Sequence, residues 1–403
     1  MKIKINPSTA VGTVQAPPSK SIAHRALICG ALSGGSVIRN LAFSKDVSAT
    51  VDCLSSLGAS ISVNENTVST GGLDIFDPNQ NAVLNCNESG STLRFLIPLC
   101  LVSGKKTTFI GSKRLFERPL SVYEAICREQ NILFEKGEHG LTVCGKLKSG
   151  NYRVKGDVSS QFISGLLFAL PLLDGVSIIE VVGKLESEPY IDITLRVLAE
   201  FGIKITRVGS RFIILGNQRY QGREITVEGD CSNAAFLQAF NLIGGNVCVE
   251  GIPENTLQGD RVFFDIFEAL KKGKREFDLS DCPDLAPILF AIAAVKGGAT
   301  FNGTARLKIK ESDRSESMTQ ELKKFGIDSE VGENYVKIGS SPIKAPTEIL
   351  LGHNDHRIVM ALSVLCTIVG GEIEGAEAVE KSYPDFFEVL KKLNIGLYGY
   401  EDR

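Results

Sequence analysis

The chain has 403 residues, more than one hydrophobic core usually serves, so two domains are the starting expectation. Hydrophobic residues at 43% and charged residues at 23% exclude disordered and fibrous classes. The net charge of −3, from 44 basic and 47 acidic residues, excludes a global positive field that would draw in nucleic acid, so any anion site must be local.

In chain order, the N-terminus opens on two short strand-like pieces, Lys2-Ile3-Lys4-Ile5 and Gly12-Thr13-Val14. It lacks an apolar run of signal-peptide length, and no stretch reaches the roughly 18 uninterrupted apolar residues of a membrane span, so a cytosolic chain is expected. The ten cysteines are scattered singly, without Cys-x-x-Cys and without a histidine at metal spacing. They read as buried free thiols, with no metal and no disulfide expected.

The stretch from Ala16 to Gly35 reads as a polar, cationic loop feeding an apolar helix, with Pro17-Pro18-Ser19 ahead of the first turn and Gly34-Gly35 behind the last. A helix N-terminus carries unsatisfied N–H groups and about half a positive charge, so Lys20, Ser21 and Arg25 there suit a phosphate or carboxylate. The pattern recurs. A polar start, an apolar helix and a small-residue stop appear at 21–35, 91–104, 160–175, 232–245, 284–298 and 356–371, six copies at a period of about seventy residues. Each is followed by a β-rich run, a polar loop and a second, amphipathic helix that usually ends on glycine. The last copy stops at Leu397-Tyr398, and the two N-terminal strands are expected to complete it. That makes one domain of both chain ends, 1–20 with 229–403, and a central domain of 21–228, with a site expected in the cleft between them.

The polar residues at the helix starts differ from copy to copy. They include Glu88-Ser89-Gly90-Ser91-Thr92 with Arg94, Asp157-Val158-Ser159-Ser160-Gln161, Asp284, and Asn354-Asp355-His356-Arg357. Ser, Asp and Asn there serve as N-caps. Capping does not explain Arg25, Arg94 and Arg357, read as first-turn residues, where the dipole disfavours cations unless an anion is shared between the helix starts. The loops before the second helices are charged as well: Phe116-Glu117-Arg118-Pro119, Glu186-Ser187-Glu188-Pro189-Tyr190, Lys308 to Arg314, and Glu380 to Asp385. Lys308 to Arg314 reads either as a solvated helix start with an i,i+3 ion pair or as part of that anion site. Asp284 and Glu311 stand among these cations, either as carboxylates kept ionised for proton transfer or, for Asp284, as a helix cap.

Eight motifs then match a known family in order: Lys20-Ser21-x-x-x-Arg25, Glu88 to Arg94, Glu117-Arg118-Pro119, Ser159-Ser160-Gln161-Phe162, Pro189-Tyr190-Ile191-Asp192, Lys310-Glu311-Ser312-Asp313-Arg314, Asn354-Asp355-His356-Arg357 and Lys381-x-Tyr383-Pro384-Asp385. Together they resemble the signatures of the EPSP synthase (3-phosphoshikimate 1-carboxyvinyltransferase) family of enolpyruvyl transferases, from about Ala16 to about Phe387. The resemblance implies an α/β fold of two inverted α/β barrel-like domains, each of three βαβαββ repeats. It implies transfer of the enolpyruvyl group of phosphoenolpyruvate to the 5-hydroxyl of 3-phosphoshikimate by addition and elimination, in chorismate and aromatic amino acid biosynthesis. No metal or organic cofactor and no nucleic-acid or membrane partner is implied, and a cytoplasmic monomer is expected.

By the same resemblance Lys20, Ser21, Arg25, Ser159, Ser160, Gln161, Ser187, Tyr190, Asp284 and Lys310 contact 3-phosphoshikimate. Lys20, Gly90, Arg94, Arg118, Gln161, Arg314, Arg357 and Lys381 contact phosphoenolpyruvate. Asp284 takes the hydroxyl proton, Glu311 protonates the methylene carbon, and Lys20 reaches both substrates. Glu88, Ser91 and Arg306 depart from the commonest pattern without removing a catalytic group. The sibling UDP-N-acetylglucosamine enolpyruvyl transferases carry a reactive cysteine in the loop matching 111–119, where this chain has Lys113 and no cysteine, and Asn where it has Ser21. The alternative from another class is a non-catalytic repeat protein that binds an anionic partner.

Overall fold

Each repeat begins with a helix that has no polar face beyond its first turn, and such a helix must be covered on all sides. A computed structural model describes residues 1–399 and divides the chain into two compact units, Pro18–Glu228 and Met1–Pro17 with Gly229–Arg403. In the first unit the helices are α1 (Lys20–Leu32), α2 (Lys45–Leu57), α3 (Gly90–Ser103), α4 (Lys113–Glu117), α5 (Ser121–Glu129), α6 (Ser160–Ala169) and α7 (Glu188–Glu200). The second holds α8 (Cys231–Gln238), α9 (Phe263–Lys271), α10 (Ala286–Val295), α11 (Arg314–Lys324), α12 (His356–Val369) and α13 (Phe386–Lys392). Most residues of α1 and almost every residue of α3 and α6 are buried in one core, and almost every residue of α8, α10 and α12 in the other. By contrast α2, α5, α7, α9 and α11 bury one stripe and expose the other.

Four of the buried helices, α3, α6, α10 and α12, are crossovers between two parallel strands, the connection that right-handed twist favours. Strand Asn151–Lys155 runs through α6 into Val176–Val182, parallel to it, and Arg211–Leu215 and Ile205–Val208 add an antiparallel pair. Ala82–Asn85 with Thr107–Ile110 and Glu276–Asp278 with Ala299–Asn302 repeat the pattern around α3 and α10. At the chain crossing, Glu224–Thr226 supplies the parallel partner of Ser36–Arg39.

Three details differ from the expectations above. The N-terminal strands do not stay together. Lys2–Ile5 lies antiparallel between Gly371–Glu374 and Leu397–Tyr398, completing the last copy, whereas Val11–Gln15 pairs in parallel with Asn246–Glu250 in another sheet. The fourth copy has no antiparallel pair, because only residues 272–275 separate α9 from strand Glu276–Asp278, too few for a hairpin. Residues 18–20, assigned to the 1–20 segment, belong to the central unit: the Ser19 N–H donates to the Glu228 carbonyl at 2.8 Å and Lys20 begins α1. Residues 400–403 of the 229–403 segment lie outside the described residues.

One close approach fixes where the first unit's helices meet. Pro98 inside α3 has no N–H to give the Arg94 carbonyl four residues back. The Tyr123 hydroxyl from α5 donates to that carbonyl instead, at 2.7 Å. Gly165 of α6 lets the three elements converge, since a Cβ there would lie 2.2 Å from the Tyr123 hydroxyl and 2.4 Å from the Arg94 carbonyl.

Candidate active site

In the first unit a chain of side-chain hydrogen bonds joins the starts of the helices. Lys20 Nζ donates to Asp46 Oδ2 at 2.7 Å, which ties α1 to α2. His24 Nδ1 meets Thr50 Oγ1 at 2.7 Å, Thr50 meets Thr92 at 2.6 Å, and the Thr92 hydroxyl donates to Ser89 Oγ at 2.7 Å, the residue that caps α3. Since Thr92 donates onward, Thr50 donates to Thr92 and the proton of neutral His24 sits on Nδ1. Burial, with Lys20 and Arg25 adding to it, holds the His24 pKa well below its ordinary value. From α3, Arg94 Nη1 donates to Gln161 Oε1 at 3.0 Å and Gln161 Nε2 to Ser91 Oγ at 3.0 Å, which joins α3 to α6. Ser164 of α6 shares a 2.7 Å bond with Thr194 of α7, and Arg25 Nε donates to Thr194 at 2.7 Å, closing the ring on α1.

This ring sorts the expected residues. Lys20, Ser21, Gln161 and Tyr190 are half-buried around it, Ser159 caps α6 through the Gln161 N–H, and Ser160 is the first residue of α6. Ser187 precedes α7 with a left-handed backbone, φ 56°, a conformation that non-glycine residues adopt where surrounding structure imposes it. Gly90 lies under two guanidinium groups: a Cβ on it would come 2.6 Å from Arg118 Nη1 and 2.8 Å from Arg94 Nη1. Arg25 is 2% exposed, packs over the Phe95 ring at 5.0 Å, and donates to Thr194 and to the carbonyls of Ser21 and Tyr190, so it orients those residues. Burial lowers its pKa to about 10. Arg25 and Arg94 are not first-turn residues, because α1 begins at Lys20 and α3 at Gly90; both stand a turn further along. Of the three arginines, Arg357 alone lies in the first turn.

In the second unit the centre is Asp284. It sits in the 3-10 turn Pro283–Leu285 that precedes α10, and its carboxylate is shared by three cations. Lys310 Nζ reaches Oδ1 at 3.2 Å, Arg314 Nη1 reaches Oδ1 at 2.8 Å and Arg357 Nη2 reaches Oδ2 at 3.1 Å. Of the two readings left open for it, cap or ionised carboxylate, the geometry supports the second. Burial opposes its charge, but Arg357, Lys310 and Arg314 outweigh burial and hold the carboxyl well below the usual range. Arg314 is 1% exposed and joins three acids: Nη1 to Asp284, Nη2 to Glu311 at 2.8 Å, and Nε to Asp355 at 2.8 Å. The pair Glu311–Arg314 is therefore a half-buried i,i+3 pair and not a solvated one. Asp355 caps α12 through the Arg357 N–H at 3.0 Å and also accepts from Ser312 at 3.0 Å. Arg357 Nη2 reaches Ser232 at the start of α8 at 2.9 Å, and Lys381 Nζ donates to the Asn354 carbonyl at 2.6 Å.

Asp46, Thr50, Ser164 and Thr194 take part without having been singled out in the sequence, whereas Ser232 enters there only as the polar start of the fourth copy. Asp46 is an acid in the first turn of α2, which the helix dipole alone would explain, and the other three carry no pattern. Among the described residues no group of three His, Cys, Asp or Glu could hold a metal ion. All ten cysteines are free thiols, with Cys248 exposed and Cys144 half-buried. Among the described residues no helix is long and apolar enough to cross a membrane.

Buried cations at helix starts, matched by carboxylates held ionised, are the equipment of a group-transfer enzyme for small, multiply anionic substrates. A family model described as EPSP synthase (3-phosphoshikimate 1-carboxyvinyltransferase) matches residues 5–272 and 266–390. The chain is 44% identical to the 3-phosphoshikimate 1-carboxyvinyltransferase of Clostridium kluyveri, across 97% of both chains, and 41% identical to that of Clostridium perfringens, across 98% of both. A solved EPSP synthase of Acinetobacter baumannii, 24% identical, matches 98% of this chain and 99% of its own with a TM-score of 0.79, which shows the shared fold. The chain belongs to the EPSP synthase (3-phosphoshikimate 1-carboxyvinyltransferase) family.

Proposed function

We propose that this chain transfers the enolpyruvyl group of phosphoenolpyruvate to the 5-hydroxyl of 3-phosphoshikimate and releases phosphate, and that the two side-chain networks serve this one reaction. The observation that carries the reading is the Asp284 carboxylate held ionised by Lys310, Arg314 and Arg357. Two phosphates and two carboxylates enter with the substrates, and charge-assisted bonds of about 1.5–3 kcal/mol each favour such anions beside buried guanidinium and ammonium groups.

Lys20, Ser21, Ser159, Ser160, Gln161, Ser187 and Tyr190 hold 3-phosphoshikimate with Lys310 and Asp284, and Arg25 orients Ser21 and Tyr190 as well as serving the same ligand. Lys20, Gly90, Arg94, Arg118, Gln161, Arg314, Arg357 and Lys381 hold phosphoenolpyruvate. As Arg314 and Arg357 turn to that substrate, Asp284 loses part of the field that keeps it a weak base and becomes able to accept the hydroxyl proton. The hydroxyl oxygen bonds the central carbon of phosphoenolpyruvate while Glu311, protonated once Arg314 has turned from it to the substrate, gives that proton to the methylene carbon. In the second half the methyl carbon returns a proton to Glu311 and phosphate leaves with the proton that Asp284 took, so that the enol ether forms and both carboxyls are restored. The free thiols suit a reducing compartment, which supports a cytoplasmic enzyme.

The test is phosphate release from phosphoenolpyruvate with 3-phosphoshikimate or with UDP-N-acetylglucosamine as acceptor. Turnover with the shikimate ester alone is expected. Turnover with the nucleotide sugar alone would move the chain's activity to the sibling reaction, and no turnover with either, from folded protein, would leave a binding protein.

A further inference from the structure

Directly before α12 the backbone takes two successive left-handed residues, His353 at φ 48° and Asn354 at φ 51°. Such a pair of non-glycine residues persists where neighbours hold it. On the entry side Gly352 donates its N–H to the Glu374 carbonyl at 2.8 Å, and a Cβ on it would lie 2.7 Å from Val359 Cγ2. On the exit side the turn serves the site. The Asn354 carbonyl accepts from Lys381 at 2.6 Å, and Asp355 holds both the Arg357 N–H and Arg314 Nε.

Opposite the site, the turn is gripped by Glu321, a residue outside every motif named above. It lies on α11 seven residues after Arg314 and is 1% exposed. Its carboxylate accepts from His353 Nε2 at 2.8 Å, from the Leu351 N–H at 2.9 Å and from Lys324 Nζ at 2.8 Å. Burial opposes its charge, but the bonds from His353, Lys324 and Leu351 prevail and keep the carboxyl below its ordinary range.

We propose that Glu321 is a positioning residue for the phosphoenolpyruvate side of the reaction: with His353 it clamps the left-handed turn and so fixes the Asn354 carbonyl, Asp355 and, through them, Lys381, Arg314 and Arg357. The proposal rests on the assignment of those three cations to phosphoenolpyruvate. One helix then carries both the arginine and the clamp that aligns its partners.

The experiment compares Glu321→Ala, Glu321→Gln, His353→Gly and, as reference, Arg357→Gln, with KM for each substrate and kcat from phosphate release, and Tm for each variant. Glu321→Ala is expected to raise KM for phosphoenolpyruvate about tenfold or more with KM for 3-phosphoshikimate within about twofold. Glu321→Gln, which keeps one acceptor oxygen, is expected to fall between it and the parent. His353→Gly accepts the left-handed backbone without strain and keeps the turn's shape, yet it removes the grip, so it is expected to follow Glu321→Ala. A merely structural role would lower Tm and the active fraction and leave both KM values in place, and that result overturns the proposal. An equal rise in both KM values, or no change in folded Glu321→Gln and His353→Gly, overturns it as well. If Arg357→Gln also leaves KM for phosphoenolpyruvate unchanged, the assignment of the cations has failed and the clamp falls with it; if Arg357→Gln alone raises it, only the clamp has failed.

Discussion

Replacing Gly90 by alanine tests the geometry of the first unit at a single atom. The new Cβ would sit 2.6 Å from Arg118 Nη1, 2.8 Å from Arg94 Nη1 and 2.9 Å from Arg118 Cζ. Comfortable carbon to heavy-atom contact is about 3.5 Å, so the Arg118 guanidinium has to retreat by about 0.9 Å, and Arg94 by somewhat less. A misplacement of about 1 Å can cost about a hundredfold, or about 2.7 kcal/mol of transition-state stabilisation. Alanine is also the better helix former by up to about 1 kcal/mol, so the first turn of α3 should not weaken on its own account. Steady-state kinetics with each substrate varied in turn should show KM for phosphoenolpyruvate raised about ten- to a hundredfold, KM for 3-phosphoshikimate within about threefold, and Tm close to the parent's. A parental KM for phosphoenolpyruvate would refute the placement of Arg94 and Arg118 over that substrate. A large fall in Tm would mean that the helix moved instead of the arginines.

Asp284→Asn keeps the shape but removes the proton acceptor, and kcat should fall about 10²- to 10⁴-fold in the phosphate-release assay; a loss under about tenfold would exclude the role of base. His24 is buried with its pKa lowered, so the unfolded chain binds its proton at higher pH than the folded one does. Its contribution is complete above the unfolded value of about 6.5 and declines as pH falls below it, by at most about 1.4 kcal/mol per pH unit. Urea midpoints should therefore drop between about pH 6.5 and 5, and His24→Asn should flatten that slope. The carboxyls of Asp284, Asp355 and Glu321 are depressed, so they add stability above about pH 4 that is lost as pH falls further, which a thermal scan in acid should show as a second decline. Tyr123→Phe withdraws the donor that serves the Arg94 carbonyl and should cost about 1–3 kcal/mol, read from the urea midpoint of the transition assigned to residues 18–228.

Much of this architecture was legible because a buried helix writes an unbroken apolar run, as in Ala286–Val295, and because the polar residues in front of each run vary while the run does not. The family motifs then named the cations. Pairing was harder to read. Lys2-Ile3-Lys4-Ile5 and Gly12-Thr13-Val14 look alike as strands, and nothing local says that one joins residues 371–398 and the other residues 246–250. Arg25 and Arg94 stand in the second turn and not the first, because α1 and α3 begin at Lys20 and Gly90, one residue before the serines that mark the polar starts in the sequence. Glu321 in Gln320-Glu321-Leu322-Lys323-Lys324 reads as one more charge on an amphipathic helix, and only the fold shows it to be buried against His353.

The insertion of Lys2–Ile5 between strands from the other end of the chain has a consequence for biosynthesis. Residues 18–228 contain all their own strand partners and can fold as they leave the ribosome, while Lys2–Ile5 must wait for Gly371–Glu374 and Leu397–Tyr398. At about 5–20 residues per second, the roughly 390 residues made between Ile5 and Tyr398 take about 20–80 s. For that time a strand with buried-to-be Ile3 and Ile5 is exposed in the nascent chain, and the alternating Lys2 and Lys4 give it the charge that discourages pairing with a neighbouring polypeptide.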